Sequence, residues 1–316
     1  MTDKEWYRNL IKEKFKPRIV VLDLNDPCYL NCNFCPKNSI HHKFMTNSNN
    51  LEKIFYIIDY FIELGVQSFE ITPTIGDSIN NKNIIEILDY IKSKNKKAFM
   101  FTSLLGKDSS DIIKKIPRII DRPDFYLVIS IYGLTKKTFF QKTNSNDFLN
   151  FKKNLFFLLD NFKELSSSLD NSFLILRNRF NNSVSLDYKL FESLEKKYSN
   201  SRILFESYHP DIYKTNNKYN NICCNFLINF GCNLKGEVRF CNYAYGAPII
   251  GNIFDGTFNQ NDLNKYFEKY LNNEFCKNCI LYEEVENKHD IINESYKFKS
   301  FKNEGIDFNI GLTKEI

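Results

Sequence analysis

The chain has 316 residues and a formal net charge of +5, spread over 43 basic and 38 acidic side chains. That balance is too mild and too mixed to mark a nucleic-acid surface, and a 43% hydrophobic, 26% charged composition is that of a soluble folded protein. No apolar run is long enough to span a bilayer, and the opening MTDKEWYRNLIKEKFKPR lacks the apolar core of an export signal. A cytoplasmic, reducing compartment is therefore expected, where cysteines serve metals or catalysis more often than disulfides. Nine cysteines are present: three between Cys28 and Cys35, and six between Cys223 and Cys279. Two such groups suggest two metal sites on two structural units.

In chain order, residues 1–18 form a charged N-terminal extension. From Ile19 to about residue 211, short apolar runs alternate with helical patterns. The predicted strands are 19–24, 66–72, 97–102, 125–131, 172–177 and 202–208, rich in β-branched and aromatic residues and nearly continuous in apolar character. Such runs suit parallel strands covered on both faces. Between the first two, Leu51, Ile54, Phe55, Ile58, Phe61 and Ile62 recur at helical spacing, with Gly65 as a C-terminal stop. Further helices are expected near 83–93, 108–120, 147–165 and 187–198. Lys94, Lys96 and Lys97 read as a solvated helix end. Six strand–helix units predict an α/β fold, a partial (β/α)6 TIM-like barrel, since eight units would close a full one. A doubly wound sheet is the competitor. From 212 to about 289 the pattern breaks into a smaller cysteine-bearing unit with a hairpin signal at LKGEVRFC (234–241). Residues 290–316 are a polar tail.

The first cysteine group reads Cys28-x3-Cys32-x2-Cys35-Pro36 directly after the first strand. Three thiolates on one loop can converge on one centre, and soft thiolate suits iron–sulfur or zinc. Zinc sites usually show paired C-x2-C knuckles or a nearby fourth ligand; His41 and His42 are the candidates here. Three cysteines on a cubane of four irons leave one iron open to bind and activate a ligand. Three buried free thiols at this spacing by chance is a poor explanation.

This motif, with Phe34 before the last cysteine and a proline after it, resembles the signature of the radical S-adenosylmethionine (SAM) superfamily. The resemblance implies that Cys28, Cys32 and Cys35 hold a [4Fe–4S] cluster whose open iron chelates SAM. The reduced cluster then cleaves SAM to methionine and a 5′-deoxyadenosyl radical, which abstracts hydrogen from substrate. It further implies that Thr74, Ile75, Gly76 and Asp77, after strand two, stand where the family presents a Gly-Gly-Glu-Pro segment to SAM. Ser130, in SIYGLTKKTFFQKTN (130–144), matches the family's Ser-x-x-Gly stretch near the cofactor, and Arg177 and Arg179 suit a carboxylate of SAM or substrate. The plain readings are a βα turn capped by Asp77 and a structural ion pair for Arg177.

Cys223-x12-Gly236-x4-Cys241, followed by Cys276-x2-Cys279, forms a four-ligand set with no open position. Cys224, adjacent to Cys223, is the alternative first ligand, and Cys232 is read as a core-facing thiol. The arrangement resembles the twitch domain, the short form of the SPASM domain, which implies one auxiliary [4Fe–4S] cluster. The segment IIGNIFDGTF (249–258) is similar to the stretch after the second ligand in these domains. A zinc-ribbon site is the plain alternative.

Glu206, Tyr208, His209 and Asp211 end strand six, and barrel strand ends carry chemistry, so Glu206, Tyr208 and His209 are candidate substrate contacts. Twitch and SPASM enzymes include aminoglycoside-pathway dehydrogenases and peptide maturases. The resemblance therefore implies net oxidation or bond formation on a small sugar-like or aminocyclitol-like molecule or on a peptide, with flavodoxin or ferredoxin as electron donor. Fewer than twenty residues precede the barrel, which tilts the expectation away from a fused leader-binding domain. A maturase with a separate leader-binding partner is one alternative; a non-catalytic iron–sulfur or zinc protein is another.

Overall fold

In the computed structural model, the described residues are 19–24, 28–33, 35, 50–73, 76–106, 109–120, 124–164, 173–178, 186–198, 201, 203–207, 229–239 and 249–259. Six strands, β1 (Ile19–Asp23), β2 (Ser68–Ile71), β3 (Lys97–Thr102), β4 (Phe125–Ile131), β5 (Phe173–Asn178) and β6 (Ile203–Ser207), run parallel in sequential order. A doubly wound sheet would reverse its strand order partway; this one does not. The result is the expected partial barrel, and it is not closed.

The connecting helices are α1 (Leu51–Glu63), α2 (Ile84–Ser93), α3 (Ser109–Ile120), α4 (Lys136–Thr143), α5 (Phe148–Glu164) and α6 (Leu186–Tyr198). Helix α1 shows why the period was readable. Asn50 caps it by accepting from Lys53 N at 3.2 Å, and Ile54, Ile57, Ile58 and Phe61 form its buried stripe. Those residues join Phe69, Ile71, Leu127 and Ile129 in one core between helices and sheet. Helix α4 was not predicted. It has eight residues and buries only Phe139 and Thr143, so its sequence carries almost no periodic signal.

Strand residues facing away from the helices form layers fixed by register. Glu70, Phe99 and Tyr126 share one level; Phe101, Val128, Ile175 and Leu204 the next; Ser130 and Arg177 the third, at the C-terminal rim, in register with the backbone of Glu206. The lower part is apolar: Phe99, Tyr126, Val128 and Ile175 form a second core, with the Phe99 and Tyr126 rings stacked 4.5 Å apart.

Beyond β6, strand β7 (Asn229–Asn233) adds to the sheet parallel to β1, and β8 (Glu237–Arg239) and β9 (Ile249–Asn252) follow antiparallel. The predicted hairpin is therefore β7–β8, turning at residues 234–236. It is continuous with the barrel: Phe230, Cys232, Val238 and Phe258 belong to the main core, and Phe258 lies 6.2 Å from the Phe61 ring. Cys232 is buried, and its thiol is pushed well above the ordinary range by burial. Among the described residues no helix is long and apolar enough to cross a membrane.

Candidate active site

Strand β1 ends at Asp23, and the loop carrying the first three cysteines follows at the C-terminal rim of the sheet. That rim is where parallel α/β folds place their chemistry. None of the three forms a disulfide. Cys32 is buried, while Cys28 and Cys35 are half-buried and pack against the main core. Cys35 N donates to Cys32 O at 3.0 Å, closing a tight turn between those two positions.

The structure brings the three thiols within electrostatic reach of one another. Burial, then the charges of Cys28 and Cys35, and more weakly that of Asp77, push the Cys32 thiol up to about 12. Three thiolates so placed repel unless a cation sits among them, and a metal centre that deprotonates its ligands removes that repulsion. Among the described residues no three His, Cys, Asp or Glu side chains converge tightly enough to hold a single metal ion. Three thiolates on one loop are a soft donor set, which suits an iron–sulfur cluster or zinc.

After β2, Gly76 has φ 153°, a conformation that other residues rarely adopt. Asp77 is buried and caps the 3-10 turn Ser78–Asn80 by accepting from Ile79 N at 3.2 Å. Its other oxygen accepts from Ser103 N at 2.7 Å and from Ser103 Oγ. Burial pushes its carboxyl up, and the bonds from Ser103, Thr102 and Ile79 oppose that. The carboxylate of Asp77 therefore joins the ends of β2 and β3, while its charge reaches Cys32.

Ser130 and Arg177 sit side by side on β4 and β5, and Arg177 is next to Glu206 on β6. Ser130 is buried; the Arg177 guanidinium lies 5.5 Å above the Phe101 ring. Of the other predicted site residues, Phe34, Thr74, Ile75, Arg179, Tyr208 and His209 lie outside the described residues, as do Cys223, Cys224, Cys241, Cys276 and Cys279; of Glu206 only the backbone is described.

Two features escaped the sequence reading. Glu70 lies on the inner face of β2, fully buried, with neither carboxylate oxygen hydrogen-bonded among the described residues. Burial pushes its carboxyl up to about 7, against a downward pull from Arg177. A lone acid inside the apolar run SFEI was the available signal. The second is the anchoring of the cysteine loop to α4, which a sequence separation of 111 between Asn33 and Asn144 concealed.

No family model matches the chain, and no curated protein matches it. Solved structures do. One is "native anSMEcpe with bound AdoMet": 15% identity, 84% of this chain and 88% of that one covered, TM-score 0.51. Another is Streptococcus suis SuiB bound to precursor peptide SuiA: 13% identity, 80% of this chain and 67% of that one, TM-score 0.50. Both are radical SAM enzymes. At such identities the likeness is one of fold, and the fold of this chain is that of the radical SAM enzymes.

Proposed function

We propose that the chain is a radical SAM enzyme, with Cys28, Cys32 and Cys35 as the ligands of a [4Fe–4S] cluster at the barrel rim. The observation that carries this reading is the presence of three thiols, one of them buried, on the loop after β1 of an open parallel barrel. When bound, such a cluster supplies the single electron for reductive cleavage of SAM. The chain's own groups do the rest. Gly76 lets the backbone turn past the cofactor, Asp77 locks that turn to β3, and Ser130 and Arg177 present a hydroxyl and a guanidinium at the rim for SAM or substrate. Phe101 holds the guanidinium in place from below. Arg179, Glu206, Tyr208 and His209 are proposed to meet the substrate.

Cys223, Cys241, Cys276 and Cys279 are proposed to hold an auxiliary [4Fe–4S] cluster, on their spacing alone. The reaction we assign is a net oxidation or a bond formation. A peptide substrate is favoured because a structure of the same fold, SuiB, was solved with its precursor peptide; a small hydroxylated or amino-substituted molecule is the second reading.

Anaerobic reconstitution with iron and sulfide, followed by dithionite and SAM, tests the proposal. Formation of 5′-deoxyadenosine is expected, and Cys35→Ala is expected to abolish it. Iron content distinguishes about four irons per chain for one cluster from about eight for two. A protein that fills its cluster yet yields no 5′-deoxyadenosine refutes the enzymatic reading.

A further inference from the structure

The cysteine loop is tied to the C-terminal turn of α4 by hydrogen bonds that bridge more than a hundred residues of sequence. Asn31 N donates to Thr143 O at 3.0 Å, and Asn33 N donates to Lys142 O at 3.2 Å. Helix-terminal carbonyls have no intrahelical partner, so the backbone on either side of Cys32 supplies their cap. Asn33 Nδ2 donates to Gln141 O at 2.8 Å. Asn144 Nδ2 donates to Asn31 O at 2.9 Å and to Asn33 Oδ1 at 2.6 Å.

Asn144 follows the helix directly, at φ 50°, ψ 28°, and its own N–H closes the last turn on Phe140 O at 2.8 Å. Left-handed backbone favours Gly and, after it, Asn. Glycine would make the turn at least as cheaply but would bring no amide. Asn adds two donor bonds onto the residues that flank Cys32. The amide orientations are unambiguous: reversing either Asn33 or Asn144 would set like groups against each other.

The far end of α4 is fixed as well. Asp187 Oδ1, on α6, accepts from Leu134 N, from Thr135 N at 3.0 Å and from Thr138 Oγ1 at 2.8 Å. Helix α4 is thus a short strut. One end is pinned beside the loop that follows β4, the strand bearing Ser130, and the other grips the cysteine loop.

We propose that Asn144 is a positioning residue: through Asn31 and Asn33 it fixes the backbone on both sides of Cys32 and so sets the geometry in which the three thiols face a metal centre. The clamp does not depend on what the thiols bind; its effect on a cluster rests on the functional reading above. The bonds are exposed, so water competes for them, and their loss loosens the loop without unfolding the protein. With the clamp intact, the Asn31 and Asn33 amides are held by α4 carbonyls. Releasing it loosens the backbone on both sides of Cys32, and hydrogen bonding and solvent exposure around cluster sulfurs help set the reduction potential.

The test uses the full chain carrying Asn144→Gly, which keeps the backbone conformation and removes the amide. Hydrogen exchange of the metal-free protein is expected to run about fivefold faster over residues 28–33 than in wild type, the effect of roughly one net hydrogen bond, with α1 and β3 unchanged. In the reconstituted protein, the reduced cluster's electron paramagnetic resonance spectrum should change and its midpoint potential should shift. Asn33→Ala should reproduce both effects, and adding Asn144→Gly to Asn33→Ala should change less than Asn144→Gly does alone, because the bond between the two amides is already lost. Wild-type exchange and spectrum in Asn144→Gly, or simple additivity of the two substitutions, would overturn the proposal. Loss of protection throughout the chain would overturn it too, by showing a general structural role. A wild-type protein that takes up no iron refutes the cluster reading but leaves the exchange result to decide the clamp.

Discussion

Glu70 combines complete burial with two oxygens that find no hydrogen bond among the described residues. An ionised carboxylate there would be costly, so the folded protein favours the neutral acid, and burial raises the carboxyl from 4.5 to about 7. The linkage follows. Between those values the folded state holds a proton that the unfolded chain has released, so stability falls as pH rises through this window. Below the unfolded value Glu70 imposes no penalty; above about 7 the penalty is complete, on the order of 3 kcal/mol. Glu70→Gln keeps the shape and removes the ionisation. Its thermal midpoint should exceed that of wild type at pH 8 and approach it at pH 4.5. Equal midpoint differences at both pH values would show that Glu70 does not titrate in this range.

At the scale of elements, the least legible piece of the fold organises the rim. KKTFFQKT gives α4 no amphipathic stripe, so no window of sequence announces a helix there. What forms it is tertiary. Thr135 caps it by accepting from Thr138 N at 3.2 Å, Asp187 gathers its first turn, and Gly133 lets it approach, since a Cβ there would meet Phe139 N at 2.5 Å. Asp187→Ala leaves these donors without their shared acceptor in a buried setting, which should cost about 2–4 kcal/mol and lower the thermal midpoint by on the order of 5 °C or more. Asp187→Asn keeps an acceptor oxygen and should lose less; scanning calorimetry separates the two. The contrast with α1 explains what was readable. Ile54, Ile57, Ile58 and Phe61 declare a helix locally, and strands such as FYLVISI declare burial on both faces. The cysteine triplet was likewise legible because its three members lie within eight residues. The clamp and the Asp187 contacts were not, because their partners are brought together only by the folded sheet. Glu70 was passed over because a single acid in a strand does not say which face it takes.

Across the whole molecule, the register divides the inner surface of the barrel into two regimes. The lower levels are filled by Phe99, Tyr126, Val128 and Ile175, an apolar layer level with the buried Glu70 carboxyl. The rim level carries Ser130 and Arg177, in register with the backbone of Glu206 and close in height to the loop that bears the cysteines. Substitutions at the two heights should therefore fail in different ways. Ile175→Ala opens a cavity in a packed layer and should cost about 3 kcal/mol, visible as a lower thermal midpoint, while the reconstituted protein still cleaves SAM below its new transition. Arg177→Gln removes the charge that lies over Phe101 and should leave the midpoint near that of wild type. Its affinity for SAM or substrate should fall about tenfold, the loss expected for a charge-assisted hydrogen bond. Both quantities can be followed on one preparation, by calorimetry and by 5′-deoxyadenosine yield against SAM concentration. If Ile175→Ala lost cofactor affinity while Arg177→Gln lost only stability, the layered arrangement would be inverted and the cofactor would have to lie deeper than the rim. If both variants lost only stability, neither layer would touch the cofactor, and the chemistry would belong to the cysteine loop and the segments that flank it.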